Sequence, residues 1–309
     1  MINDFATLLQ RAKAIPGVVV GVPCPEDETS IATVIQAKQE GIADFILCGD
    51  AARIEALVRS HDGRPADFSI LDVGEDDVDV SREEAASRRI VGLARAGKVH
   101  VILKGFVSTA SLMRPILDKR TGLRTGRLLS DILIVENPAP NFDGFLGMTD
   151  GGLNILPDLE QKKQIIENAV DVFHRLGCER PNVGLLAAVE KVNDAMPATV
   201  EAAALTEMAR RGEIEGCEVF GPLALDIAVS PEAAKRKGIS HPVAGQVQIM
   251  VVPNIESGNI FGKSFTYYLG IPVGHVVMGA RIPILIPSRN ESGEDKINSV
   301  ALGAVVAKG

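Results

Sequence analysis

Ile282-Pro283-Ile284-Leu285-Ile286, followed by Pro287-Ser288-Arg289-Asn290-Glu291-Ser292-Gly293-Glu294-Asp295-Lys296, is the stretch on which the fold turns. The apolar run is too short for a globular helix and is bounded by prolines, so it reads as a buried strand. Ser288, Arg289 and Asp295 then fall within eight positions at its carboxyl end. Open α/β sheets place their ligand crevices at that end. A hydroxyl donor, a permanently charged planar cation and a carboxylate suit a phosphorylated electrophile. On local sequence alone a polar surface turn is the simpler reading, and the rest of the chain has to decide.

Upstream, strands and helices alternate. Strands are expected over 18–22, 45–50, 68–73 and 99–103, with helices over 5–14, 29–40, 51–60 and 81–96. Glu26, Asp27 and Glu28 open the second helix, where acids complement the helix dipole. Such alternation predicts βαβ units and a parallel sheet. A strand over 132–136 ends at the breaker Asn137-Pro138-Ala139-Pro140-Asn141. A second α/β half follows, with helices at 159–176, 200–211 and 260–269 and strands at 183–186 and 249–252; the segment 219–228 continues it. Strands at 273–277 and 282–286 return to the first sheet, and 297–307 closes as a helix.

Composition agrees. The 309 residues are 46% hydrophobic with 4% aromatics and no Trp, the aliphatic profile of parallel sheets. A net charge of −8 argues against non-specific nucleic-acid binding but leaves local anion sites possible. Cys24, Cys48, Cys178 and Cys217 form no CxxC pair and fit a reduced, cytoplasmic protein. No apolar run approaches the length of a membrane span, and the opening lacks a signal-peptide pattern.

Three further turns carry chemistry. Lys104-Gly105 through Ser108, Thr109 and Arg114 leaves a buried strand and enters a helix, whose capped start attracts anions; an ordinary capped helix explains it as well. Thr121-Gly122-Leu123-Arg124-Thr125-Gly126-Arg127-Leu128-Leu129-Ser130 brings two glycines, two arginines and a hydroxyl, and by itself reads as a basic loop. The stretch from Pro253 to Lys263 is again a strand-to-helix turn, with Asn259 and Lys263 near the helix start. Neither GxGxxG nor GxxxxGK[ST] is present, nor HExxH, nor a His/Cys cluster; the five histidines are scattered, and no metal site is assigned.

In order and spacing these residues resemble the phosphate acetyltransferase/phosphate butyryltransferase family, most closely its butyryl branch. The resemblance rests on Lys104-Gly105 with Ser108-Thr109, Gly122-Leu123-Arg124-Thr125-Gly126-Arg127 with Ser130, and Thr149-Asp150 with Asn154 and Pro157. It continues through Gly221-Pro222-Leu223-Ala224-Leu225-Asp226-Ile227-Ala228, Val243-Ala244-Gly245, and Gly258-Asn259 with Lys263. Gly279-Ala280 with Pro283, then Ser288-Arg289 with Asp295, complete it.

The resemblance implies an enzyme that reversibly moves a short-chain acyl group between coenzyme A and inorganic phosphate, giving an acyl phosphate. No cofactor or metal is required, and a cytoplasmic homo-oligomer is expected. It also implies two α/β domains with mainly parallel sheets, an isocitrate/isopropylmalate-dehydrogenase-like fold, and a cleft between them. Residues 1–137 with 275–309 would form the first domain and 138–274 the second. Asp295 is implied as the base for the coenzyme A thiol, Arg289 as the phosphate clamp and Ser288 as a hydrogen-bond donor. Lys104, Ser108, Thr109, Arg114, Arg124, Ser130, Asn259 and Lys263 are the implied substrate-binding residues. The chain departs from the family pattern at Asp131, where His is usual, and at Val247-Gln248, where Ala-Asp is usual. Alternatives are an acyltransferase acting on acyl carrier protein, a decarboxylating dehydrogenase, and a non-catalytic protein that binds coenzyme A or acyl phosphate.

Overall fold

A computed structural model describes residues 1–74, 80–139, 142–288 and 290–308. In chain order the elements begin α1 (Phe5–Lys13), β1 (Val19–Pro23), α2 (Glu28–Gln39), β2 (Asp44–Gly49), α3 (Ala51–Ser60), β3 (Ser69–Asp72), α4 (Arg82–Arg95), β4 (Val101–Leu103) and α5 (Thr109–Ile116). Next come β5 (Ser130–Glu136), β6 (Phe145–Thr149), α6 (Leu159–Arg175), β7 (Asn182–Leu186), α7 (Pro197–Arg210) and β8 (Glu218–Leu223). The chain ends with α8 (Leu225–Val229), α9 (Pro231–Arg236), β9 (Ile249–Val251), α10 (Ile255–Tyr267), β10 (Val273–Met278), β11 (Ile284–Leu285) and α11 (Gly293–Lys308).

The described residues form two compact units. One holds Ala6–Arg127 with Gly274–Gly309, the other Met1–Phe5 with Leu128–Val273, against the sequence-based division after residues 137 and 274. In the first unit the strands lie in the order β3-β2-β1-β4-β11-β10. All pair in parallel except β10, which runs antiparallel to β11. In the second unit the order is β5-β6-β9-β7-β8, with only β5 and β6 antiparallel. The expected α/β class with mainly parallel sheets is therefore what the chain builds.

Parallel strands covered on both faces should be apolar without alternation. β4 is buried throughout, and β1 is buried from its second residue onward. Helices start at side chains that accept a free backbone N–H: Asp27 from Ser30, Asp50 from Arg53, Asp158 from Gln161 and Asn254 from Ser257. α11 is the exception to amphipathic design. Every residue from Asp295 to Val306 is buried, and the helix packs on β4, β11 and α2. An apolar helix of this kind belongs inside a core.

Several elements differ from expectation. β6 (Phe-Leu-Gly-Met-Thr) carries Gly147 and only one β-branched residue, so its strand state comes from pairing with β5 and β9 rather than from propensity. The segment 219–228, to which the sequence assigned no element type, holds most of β8 followed by α8. α11 starts at Gly293, four residues before the expected 297, because Ser292 caps it.

Candidate active site

In the unit containing β4 and β11, register decides which side chains meet. Ile102 pairs with Ile284 and Leu103 with Leu285, and the Lys104 N–H continues the ladder to the Leu285 carbonyl at 2.9 Å. Lys104 and Ser288 therefore leave adjacent parallel strands at the same carboxyl edge. Gly105 is required there: a Cβ would lie 2.3 Å from the Pro23 carbonyl oxygen and 2.6 Å from that of Cys24, atoms of the neighbouring backbone at the end of β1.

Ser108 caps α5, its hydroxyl accepting the Ser111 N–H at 3.0 Å and donating to Ser111 Oγ at 2.8 Å. Its own N–H donates to Glu83 Oε2 at 3.0 Å. That bond, chiefly, holds the Glu83 carboxyl below its ordinary range, and the nearby Lys104 charge adds to the effect. Thr109, the first residue of α5, is exposed. Arg114 is turned to Glu84 at 2.6 Å, and Glu84 also binds Arg88 at 2.7 Å. The Arg88 bond first, then Arg114, lowers the Glu84 pKa.

The turn into α11 is tied twice. The Ser288 N–H donates to Glu291 Oε1 at 2.7 Å, and the Glu291 N–H returns to the Ser288 carbonyl at 3.2 Å. Asp295 is only 5% exposed and forms a capping box with Ser292. Its Oδ2 accepts from the Ser292 N–H at 3.1 Å and hydroxyl at 2.7 Å, while its N–H donates to Ser292 Oγ at 3.1 Å. Arg289 lies outside the described residues. Arg124 forms an isolated bridge with Ala280, in the turn between β10 and β11. That is the amino end of β11, opposite the end that carries Ser288.

The other unit gathers a second set at the carboxyl ends of β6 and β9. Thr149 pairs with Val251, and the cis Thr149–Asp150 peptide leads into Gly151-Gly152. Gly151 lies against the Gly258 backbone, and Asn259 Nδ2 donates to the Gly151 carbonyl at 3.2 Å. Asn259 and Lys263 are exposed on α10, but in its second and third turns, because the helix begins at Ile255 rather than 260. Ser130 is fully buried, its hydroxyl accepting from Asn168 Nδ2 at 2.9 Å, so its side chain faces α6 and not solvent.

By sequence Asp150 is an acid near a strand end, of the kind that more often caps a turn than binds a metal. It is buried, and its carboxylate accepts the N–H groups of Gly152 at 2.9 Å and Leu153 at 3.0 Å, with Asn154 Nδ2 at 2.5 Å. Burial, with the Asp131 charge second, pushes its pKa up to about 6. The available signal was an acid between a buried strand and a Gly-Gly pair. Glu83 and Glu291 were also missed. Each binds the backbone of an expected site residue, a relation that spacing along the chain does not reveal.

The family model for Phosphate acetyl/butaryl transferase matches residues 82–304. A phosphate butyryltransferase from Clostridium acetobutylicum is 40% identical over 307 residues, 99% of each chain. The chain belongs to the phosphate acetyl/butyryltransferase family. It is a phosphate acyltransferase, butyryltransferase-like. A phosphate acetyltransferase from Rhizobium meliloti is 39% identical over 298 residues, 96% of this chain and 90% of that one. The crystal structure of a branched-chain phosphotransacylase from Enterococcus faecalis V583 superposes with a TM-score of 0.80 at 28% identity, covering 94% of this chain and all of that one.

The two departures from the family pattern fall in different places. Gln248 precedes β9 at its amino end, where its Oε1 accepts the Asn182 N–H at 3.1 Å, and Val247 is in the core. Asp131 lies at the carboxyl edge: a Cβ on Gly152 would be 3.0 Å from its Oδ2. Only Asp131 reaches the carboxyl edge of β6, the kind of edge at which open α/β sheets hold their ligands.

Proposed function

We propose that this chain moves a short-chain acyl group, butyryl or similar, between coenzyme A and inorganic phosphate within a ternary complex. The observation that carries the reading is the shared edge of β4 and β11. Lys104, the Ser288 turn and the capped start of α11 with Asp295 all emerge there. From acyl-CoA, a phosphate oxygen attacks the thioester carbonyl, the C–S bond breaks and coenzyme A leaves as its thiolate. In reverse, Asp295 takes the thiol proton, the thiolate attacks the carbonyl of acyl phosphate, and the C–O bond to phosphate breaks. Arg289 clamps the phosphoryl group in both directions, Ser288 donates to it, and Lys104 supplies charge at the same edge. Positioning does most of the work, without a covalent enzyme intermediate.

The acyl group is the open part, since relatives of nearly equal identity carry different acyl names. Thiol release from acetyl-, propionyl-, butyryl- and branched acyl-CoA, with phosphate and no added metal, tests the proposal. Butyryl-CoA or a near homologue should give the highest kcat/KM. No phosphate-dependent release from any of the four would reject the reaction. Activity removed by a chelator and restored by a divalent cation would reject its metal-free form. We take the protein to act in the cytoplasm as a homo-oligomer; exposed Ile260, Tyr267, Tyr268 and Leu269 supply apolar surface for assembly, which sedimentation checks.

A further inference from the structure

The geometry points to Lys296 as a further phosphate-binding residue, an inference that rests on the reaction proposed above. Lys296 is in the first turn of α11 and only 6% exposed. Its backbone N–H reaches the Ser292 carbonyl at 3.3 Å, but no ion pair or side-chain hydrogen bond among the described residues engages its ammonium. Lys162, covered to a similar degree, is matched by Glu201. A covered charge is normally paired, and a cation at the N-terminal end of a helix opposes the helix dipole. Folding therefore gains no partner for this charge where it stands. A bound anion supplies one.

Helix periodicity tells where the side chain runs. Lys296 and Gly303 stand two turns apart and share one face of α11. That face lies on the sheet: a Cβ on Gly303 would be 3.0 Å from Val101 Cγ1 and 3.2 Å from Leu285 Cδ2. α11 runs back from the carboxyl ends of the strands, so Lys296 stands about 10 Å nearer that edge than Gly303. The strand residues from Val101 to Lys104 cover about the same 10 Å. Lys296 is thus level with Lys104, and the lean of helix side chains toward the N-terminus carries its ammonium past the strand ends. Lys104 arrives from the other layer. It shares a sheet face with Ile102, whose partner Gly21 lies against Ile90 of α4, and its charge acts on Glu83 at the start of α4. Lys296 brings its cation from the α11 side, one residue from the proposed base. The phosphates of coenzyme A lie a whole pantetheine arm from its thiol, so a cation beside the thiol's base meets the reacting phosphate instead. Its ammonium holds an oxygen of inorganic phosphate that does not attack the thioester, and in reverse offsets charge on the departing phosphate. No proton passes through it.

Lys296→Met keeps most of the length and removes the charge. With butyryl-CoA saturating, it should raise the KM for phosphate roughly ten- to a hundredfold, the loss of one charge-assisted bond, and leave the KM for butyryl-CoA within about twofold. Lys296→Gln removes the same charge with a polar side chain and should do likewise, which covers a packing fault peculiar to Met. Melting gives a readout without turnover. Inorganic phosphate should raise the Tm of the wild-type protein and raise that of Lys296→Met much less at the same concentration. Without phosphate, Lys296→Met should melt no lower than wild type, because no ion pair is lost. A phosphate KM within threefold of wild type in both variants would overturn the inference. A rise confined to the KM for butyryl-CoA would overturn it too, by putting the anion on coenzyme A. So would a Lys296→Met protein that melts lower without phosphate and binds both substrates worse, the behaviour of a stem that only packs. If the wild-type protein shows no phosphate-dependent thiol release, the reaction proposed above fails, and the phosphate-linked shift in Tm judges Lys296 alone.

Discussion

Asp295, the proposed base, already has a structural job. Its capping box with Ser292 occupies Oδ2, yet an Asn carbonyl can accept the Ser292 N–H as the carboxylate does, whereas it cannot act as a base. Asp295→Asn should therefore keep Tm and coenzyme A affinity while kcat falls steeply, with part of the loss recovered at high pH as free thiolate accumulates. Turnover within a few-fold of wild type at neutral pH would leave Asp295 as a cap alone. Ser292→Ala reports the other role: losing the hydroxyl should cost about 1 kcal/mol, read as a melting temperature lower by about 2–4 °C. Arg289→Lys keeps the charge and loses the planar fork, so kcat should drop roughly a hundred- to a thousandfold. Near-normal kinetics would mark Arg289 as a surface residue.

At the scale of elements, the site depends on strand ends being held at short distances. Gly105→Ala puts a methyl against the carbonyl oxygens of Pro23 and Cys24, which cannot move without displacing β1. The expected cost is about 1–3 kcal/mol in stability, with a parallel loss of turnover because the Lys104 turn shifts. A melt and an assay of the same sample check both. At the β5–β6 edge, Asp150 has its pKa raised to about 6, first by burial and then by Asp131. For a carboxyl raised in the folded state, the linked stabilisation is full below the unfolded pKa of about 4 and is lost as pH rises through about 6. Asp131→Asn removes one of the two causes. It should raise Tm at pH 7.5 by about 2–4 °C and leave it unchanged at pH 4, which melts at the two pH values would show.

At the scale of the whole molecule, all four cysteines are free and buried. Burial pushes the Cys24 thiol well up, with Glu26 adding to it, and raises Cys48 and Cys217 to about 12. Because the thiolate is the reactive form, the folded protein should consume a disulfide reagent only as fast as it opens, and all four thiols should react promptly in guanidinium. Fast stoichiometric labelling of the native protein would contradict this burial. The same property makes released coenzyme A the dominant thiol signal in the proposed assay.

Much of the chain was legible as sequence. Apolar runs such as Val101-Ile102-Leu103 and Ile284-Leu285 declare buried parallel strands, because strands covered on both faces cannot alternate. The order of motifs from Lys104 to Asp295 was enough for the family. β6 was not legible, since its strand state comes from its neighbours, nor was the α11 start, since a reciprocal Ser292–Asp295 cap outweighs a polar, glycine-containing stretch. Tertiary structure alone decided which candidates stand together. Register brings Lys104 and Ser288 to one edge, whereas Ser130 is buried against Asn168, Arg114 is held by Glu84, and Arg124 lies at the far end of β11. It also supplied Glu83, Glu291 and Asp150, whose roles are contacts across 25, 3 and 19 positions of chain. Periodicity along a chain records which residues are buried; it carries no record of which buried or half-buried groups face one another, because strand register and helix packing set that.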